Sequence, residues 1–192
     1  MEIELQPMTR ERMHELYRGF AFDPDLFMDM SLFERCKTYT YDAQKVDALF
    51  EKRSLEPDSI AFAVMLHGAV IGEVGLRHIS AEAEECELSI HLQNDSVKGR
   101  GYGTQAERLA VAYAFDQLGM ERVLADAIVK NTRSRHILEK LGFRFLREAD
   151  GFRYYCLDRE SRNPAGSLDG QRVRARGLRP CAKNAPRKPA NR

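Results

Sequence analysis

The chain has 192 residues, with thirty Lys and Arg against twenty-nine Asp and Glu and a formal net charge of +1. That length suits one domain with a full core. Four cysteines, Cys36, Cys86, Cys156 and Cys181, stand without paired spacing, which argues against a zinc site or a disulfide framework. The opening Met-Glu-Ile-Glu-Leu is not a signal peptide, and no apolar run approaches the roughly 18 residues of a membrane span. The expected compartment is therefore the reducing cytoplasm. No internal repeat is visible.

In chain order, Glu2 to Met8 alternates as a first strand, and Thr9 caps a helix over about Arg10 to Tyr17. Residues 20–41 are dense in apolar side chains around Asp23-Pro24-Asp25. Their aromatics (Phe22, Phe27, Phe33, Tyr39, Tyr41) read as core or as the wall of a substrate pocket. Asp42 is an N-cap for a helix running to about Arg53. Strands follow over Ile60–Leu66 and Val70–Ile79, joined at His67-Gly68, and then over Glu85–Leu92. After a glycine-rich turn, Ala106, Leu109, Ala110, Tyr113 and Leu118 repeat at helical spacing, and Gly119 closes the run. Arg122–Val129 is a further strand and Thr132–Leu141 a short helix ended by Gly142. The pair 143–148 and 152–157 forms a final hairpin across Asp150-Gly151. Residues 159–192 hold ten Lys or Arg and two Asp or Glu, a net of +8, against −7 for residues 1–158. Their composition cannot bury enough apolar surface to order them, so the expected division is a folded domain, 1–158, and a basic disordered tail, 159–192.

The stretch Val97-Lys98-Gly99-Arg100-Gly101-Tyr102-Gly103-Thr104-Gln105-Ala106 sits between a strand and a helix. Its glycines permit a tight bend and a close approach of ligand to backbone. The first N–H groups of the following helix lack intrahelical acceptors and carry the positive end of its dipole, which suits a pyrophosphate. Lys98 and Arg100 add positive charge at the rim. A P-loop would need Gly-Lys-Ser/Thr where the chain has Gly-Thr-Gln, and a dinucleotide turn would need glycine where it has Thr104. The remaining nucleotide reading is a coenzyme A loop. The stretch resembles the Gln/Arg-x-x-Gly-x-Gly/Ala signature of the GNAT superfamily of N-acetyltransferases, with Lys98, Gly101 and Gly103 in its slots and Lys98 departing from the usual residue. Downstream, Asn131-Thr-Arg-Ser134 and Glu139-Lys-Leu-Gly142-Phe143 resemble the Asn-x-x-Ser/Ala…Glu-Lys-x-Gly-Phe segment of the same superfamily. The sub-pattern is similar to the branch of ribosomal-protein N-terminal acetyltransferases. The resemblance spans about residues 2–157 and is specific from Glu85 to Phe143.

The resemblance implies an α+β fold, the GNAT acyl-CoA N-acyltransferase fold: a mixed, mostly antiparallel sheet with splayed central strands flanked by helices. It implies acetyl-CoA as co-substrate, with no metal, bound along the strand amides of Ile90 and Leu92. The turn Lys98, Gly99, Arg100, Gly101, Tyr102, Gly103 and Thr104 would hold the pyrophosphate. Asn131 would bond the pantetheine arm, cap the helix it opens, or do both. An amine attacking a thioester must lose a proton. Glu87 occupies the offset at which some members place a catalytic glutamate; Glu85 and Glu73 are the next candidates, and His91 shares the face. Leu138 stands where many members have a tyrosine that protonates the leaving thiolate. Ser134 fills the slot of a serine used in the terminal-acetyltransferase branch.

The leading expectation is an acetyl-CoA-dependent N-acetyltransferase acting on a primary amine, either a protein N-terminus or a small cationic amine drawn to the acidic body. Two others compete with it: a sensor that binds acetyl-CoA without turnover, and a ribosome- or nucleic-acid-associated protein whose basic tail contacts phosphates. A homodimer is compatible with each. Turnover with amines separates enzyme from sensor, and removal of the tail tests the third.

Overall fold

The computed structural model describes residues 3–22, 28, 34 and 36–161; Phe27, Phe33 and the stretch 162–192 of the expected tail lie outside them. Seven strands form one sheet in the order β1-β2-β3-β4-β5-β7-β6. They are β1 (Glu4–Pro7), β2 (Ile60–Leu66), β3 (Ala69–Ser80), β4 (Glu85–Leu92), β5 (Arg122–Ile128), β6 (Arg144–Ala149) and β7 (Phe152–Asp158). Every pairing is antiparallel except β4 with β5. The described helices are α1 (Arg10–Arg18), α2 (Ala43–Ser54), α3 (Tyr102–Asp116) and α4 (Thr132–Lys140). The expected α+β architecture, a mixed and mostly antiparallel sheet with helices packed on it, is what the chain forms.

Local chemistry explains the boundaries. The Thr9 hydroxyl accepts from Arg12 N–H and the Asp42 carboxylate from Lys45 N–H, so both expected caps are in place. His67-Gly68 and Asp150-Gly151 all have positive φ, which lets two-residue turns follow the twist of their hairpins. Side chains of α3 (Ala106, Leu109, Ala110, Tyr113 and Ala114) pack with Phe62, Val74, Leu76, Leu88 and Val123 of the sheet in the main core. The Phe62 and Tyr113 rings meet edge-on at 5.1 Å. On the other face a smaller cluster of Leu16, Ala63, Met65 and Val70 seats α1. An ion pair from Arg10 to Asp47 and a 3.2 Å contact from His14 Nε2 to the same carboxylate tie α1 to α2.

The end of β4 is anchored twice. Gln93 N–H donates to Ile71 O at 2.8 Å, and its side-chain amide donates to Leu16 O at 2.9 Å and Glu15 O at 3.1 Å, holding the last turn of α1. The first residues of the expected tail are part of the domain. Arg159–Ser161 forms a 3₁₀ turn, and the Arg159 guanidinium donates to Phe115 O at 2.6 Å and Met120 O at 2.6 Å beyond the end of α3. The main chain of β3 at Gly72 lies so close to β4 that a Cβ there would stand 2.7 Å from His91 O. Gly72→Ala must push the strands apart and should cost about 1–3 kcal/mol, the usual penalty for overpacking. Urea denaturation should show a lower midpoint with an unchanged slope.

Candidate functional site

Strands β4 and β5 pair in register from Glu85↔Arg122 to Leu88↔Ala125, and there the ladder between them ends. β4 continues beside β3 to Leu92, and β5 beside β7 to Ile128, so each keeps its outer partner while the inner edges diverge. Such an opening in the middle of a sheet exposes backbone hydrogen-bonding groups that must find a partner elsewhere. A cavity of about 290 Å³ fills it. Ile90, Leu92, Asp126 and Ile128 line its strand walls; Gly103 and Glu107 of α3 and Ser134 and Ile137 of α4 line its helical side.

The glycine turn stands at the mouth. Gly99 and Gly101 have φ of 71° and 83°, conformations that strongly favour glycine, and a Cβ on either would meet nothing within 4 Å. Gly101 is the N-cap of α3 and offers no side chain to the helix's first amides. Gly103 is ordinary helix; a Cβ there would reach van der Waals contact with Ile137, Leu92 and Ile90. A larger side chain at 103 would enter the cleft.

The structure brings Ile90, Leu92, Lys98, Gly103, Asn131 and Ser134 to one cavity. Gly99, Arg100, Gly101 and Thr104 form the turn and first helical residues beside it. Two rim residues differ from expectation. Lys98 is no mobile cation: its ammonium pairs with Asp95 at 2.9 Å and its side chain is 13 % exposed. The Tyr102 ring is buried in the main core, leaving only its backbone to the turn. Asn131 caps α4, its Oδ1 accepting from Ser134 N–H at 3.0 Å, and this cap sets Ser134 on the cleft wall. Glu87 is not among the cavity's lining residues. It lies beside Leu124 and Arg77, below the point where the strands part, on the face that also carries Ser89 and His91. Glu85 faces Arg122 at 3.6 Å. Glu73, 3 % exposed, is gripped through both oxygens by Arg53 at 2.7 and 2.8 Å. Leu138 is buried and lines the cavity without offering a donor.

Sequence reasoning does not single out Asp126 or Glu107. Asp126 lies two residues beyond Leu124 on β5; burial raises its carboxyl pKa, and the Arg77 charge opposes that shift. Glu107 is 1 % exposed on α3, its Oε2 has no hydrogen-bond partner, and burial pushes its pKa up to about 8. A charge one turn after Gly103, on the stripe that continues through Ala110 and Ala114, is the signal that could have found it. His91 also has an inaccessible, unpartnered Nε2. Burial holds its pKa down, the nearby Glu73 pulling the other way. Its ring meets Phe20 edge-on at 5.3 Å, within a group that includes Tyr17, Phe22 and Tyr39. Among the described residues no group of three side chains could hold a metal ion.

Glu107 has a measurable signature. Its pKa is raised on folding, so between the ordinary glutamate range and about pH 8 the native state keeps a proton that the unfolded chain has released. Stability therefore falls as pH rises through that window. Glu107→Met should remove this slope and, at pH 8, raise stability by about 1–3 kcal/mol, the cost of an unsatisfied buried polar group. Thermal melts across about pH 5 to 9, the range in which the group titrates, read both effects.

Comparison with known proteins agrees with this geometry. The family model described as an acetyltransferase (GNAT) domain matches residues 2–144. A probable N-acetyltransferase of Bacillus subtilis (strain 168), YjcK, is 29 % identical over 122 residues, 62 % of this chain and 67 % of its own. Another protein of that strain, YdaF, named for ribosomal N-acetyltransferase activity, is 28 % identical over 86 residues, 45 % of this chain and 46 % of its own. Among solved structures, spermidine N-acetyltransferase from Vibrio cholerae, in complex with CoA and spermine, superposes with a TM-score of 0.64 at 16 % identity. That match covers 83 % of this chain and 97 % of the other. An acetyltransferase from Thermus thermophilus gives 0.62 at 21 %, covering 82 % and 97 %. The parted strands, the glycine turn and the family match together place the chain in the GNAT acetyltransferase family.

Proposed function

We propose that the protein transfers an acetyl group from acetyl-CoA to a primary amine by direct attack of the amine on the thioester. The observation that carries this reading is the divergence of β4 and β5 beyond Leu88 and Ala125, with a glycine turn at its mouth. The pantetheine arm lies along the free edge of β4 as an added strand, and the pyrophosphate rests on the turn 99–104. Asn131 hydrogen-bonds the arm with what its cap leaves free. An amide of β4, at Ile90 or Leu92, holds the carbonyl oxygen as it becomes an oxyanion.

The amine arrives from the side of Ser89 and His91. The rings of Tyr17, Phe20 and Phe22 and the acidic body favour a cationic acceptor, either a protein N-terminus or a small polyamine. YdaF is named for ribosomal N-acetyltransferase activity and the Vibrio cholerae enzyme for acetylation of spermidine, a polyamine. The amine's proton passes to Asp126 in the cleft and from there through water toward Glu87 on the same face. Glu73 is excluded, because both its oxygens are committed to Arg53. Ser134, one turn into the cleft wall, orients the leaving sulfur.

Acetyl-CoA should raise the melting temperature of the whole chain by mass action. Gly103→Asp, which leaves the backbone unstrained, should abolish that rise. With spermidine or a peptide amine as acceptor, free CoA thiol should appear. Asp126→Asn should slow its release about 10²-fold where the wild-type carboxylate is ionised, the difference shrinking as pH falls through its raised pKa, and Glu87→Gln should slow it less. A wild type that neither gains stability nor releases thiol sinks the proposal. A thermal shift without turnover on any amine would make the protein a sensor instead. Deleting 162–192 should change neither readout if the tail is dispensable.

A further inference from the structure

Departure of CoA leaves a thiolate that must acquire a proton. The helical wall of the cleft offers few sources: Leu138 has no proton to give, and the Ser134 hydroxyl can pass one on but holds none that ionises near neutral pH. Glu107 is different. It is an acidic side chain shut away from solvent, it lines the cavity, and Oε2 has no partner. A buried polar atom left unpaired costs stability, so in a folded protein it calls for an explanation. Its height in the cleft supplies one. α3 runs back alongside β4, and Gly103 touches the level of Ile90 and Leu92. Four residues further on, at about 1.5 Å per residue, Glu107 is about 6 Å deeper, two strand residues back toward Leu88. That is the closed end of the opening, where an arm entering from the glycine turn brings its thioester.

We propose that Glu107, in its neutral form, is the acid that protonates the departing CoA sulfur. The inference rests on the acetyl-CoA reading of the cleft. The amine nitrogen bonds to the acyl carbon, the C–S bond breaks with its electron pair going to sulfur, and sulfur takes the proton from the Glu107 carboxyl. The second amine proton leaves toward Asp126. Once the product has gone, Asp126 releases its proton to water and Glu107, now a carboxylate, takes one up, so the sum is amine and thioester to amide and thiol. Burial alone keeps the carboxyl protonated at neutral pH, with a pKa near that of a thiol. The other titratable groups on the cleft are His91 of β4, Lys98 of the turn, Asp126 of β5 and Arg133 of α4, with Arg108 beside Glu107 on α3. None of them contributes to its shift, and none hydrogen-bonds to it.

The test is the pH profile of kcat with acetyl-CoA and a saturating amine, for the wild type, Glu107→Gln and Glu107→Met. The wild-type kcat should fall above about pH 8. Both variants should lose about 10²-fold in kcat and lose that limb, keep acetyl-CoA affinity within a few-fold, and melt no lower than the wild type. The wild-type limb is readable even if a variant misfolds. A wild type that turns over with no decline at high pH overturns the proposal. So does a Glu107→Gln enzyme with full kcat, or one whose loss lies in coenzyme affinity. Loss in Ser134→Ala alone, with Glu107→Gln unaffected, would give the proton to the serine. A wild type with no acetyl-CoA binding at all removes the parent reading as well, and is recognised by the missing thermal shift.

Discussion

A sheet ordinarily satisfies the buried backbone groups of every inner edge by pairing, and this one gives up a pairing at its centre. β4 and β5 hydrogen-bond over four register pairs and then separate, although each stays laddered to its other neighbour. Parallel strands joined by a helical crossover need not close completely, because α3 packs across them and holds both from one side. The divergence is kept open by what grips β4 from behind. Gly72 admits it at close range, and Gln93 fastens its end to β3 and to α1. Those contacts let the edge facing β5 remain free for another chain of amides and carbonyls.

The same economy accounts for the polar groups around the opening. Glu73 is buried and satisfied by Arg53, so it contributes to the scaffold. Glu107 is buried and His91 partly so, and each leaves an inaccessible atom unpaired. Both line the cavity, one on its α3 side and one on its β4 side. Polar groups that the fold does not satisfy, gathered where strands part, are the groups free to meet a ligand.

How much of this is legible in the sequence varies by element. Caps, hairpin turns and the glycine run are local, set by one or two residues whose chemistry has few alternatives, so Thr9, Asp42, Asp150-Gly151 and Gly101 read directly. The order of strands and the likeness to acetyltransferases are legible through the two motifs around Gly101 and Asn131. Side-chain partners across the sheet are not. That Lys98 pairs with Asp95, that Tyr102 turns into the core and that Glu87 falls short of the cleft depend on where the ladder ends. Periodicity gives a strand's faces but not the residue at which its neighbour leaves it. Arg159 reads as tail for a similar reason: composition sees a basic residue, not the carbonyls of Phe115 and Met120 that it meets.

Glu107 marks where pattern and chemistry disagree within one helix. α3 is otherwise apolar along its buried stripe, through Ala106, Ala110 and Ala114, and helix packing alone would place an apolar side chain at 107. The glutamate costs the domain stability, its Oε2 gaining no hydrogen bond in return. The cost grows with pH, as the carboxyl approaches ionisation at about 8. A group that weakens the fold on its way to losing its proton is one whose proton is held on loan, and the parted strands give it one place to go.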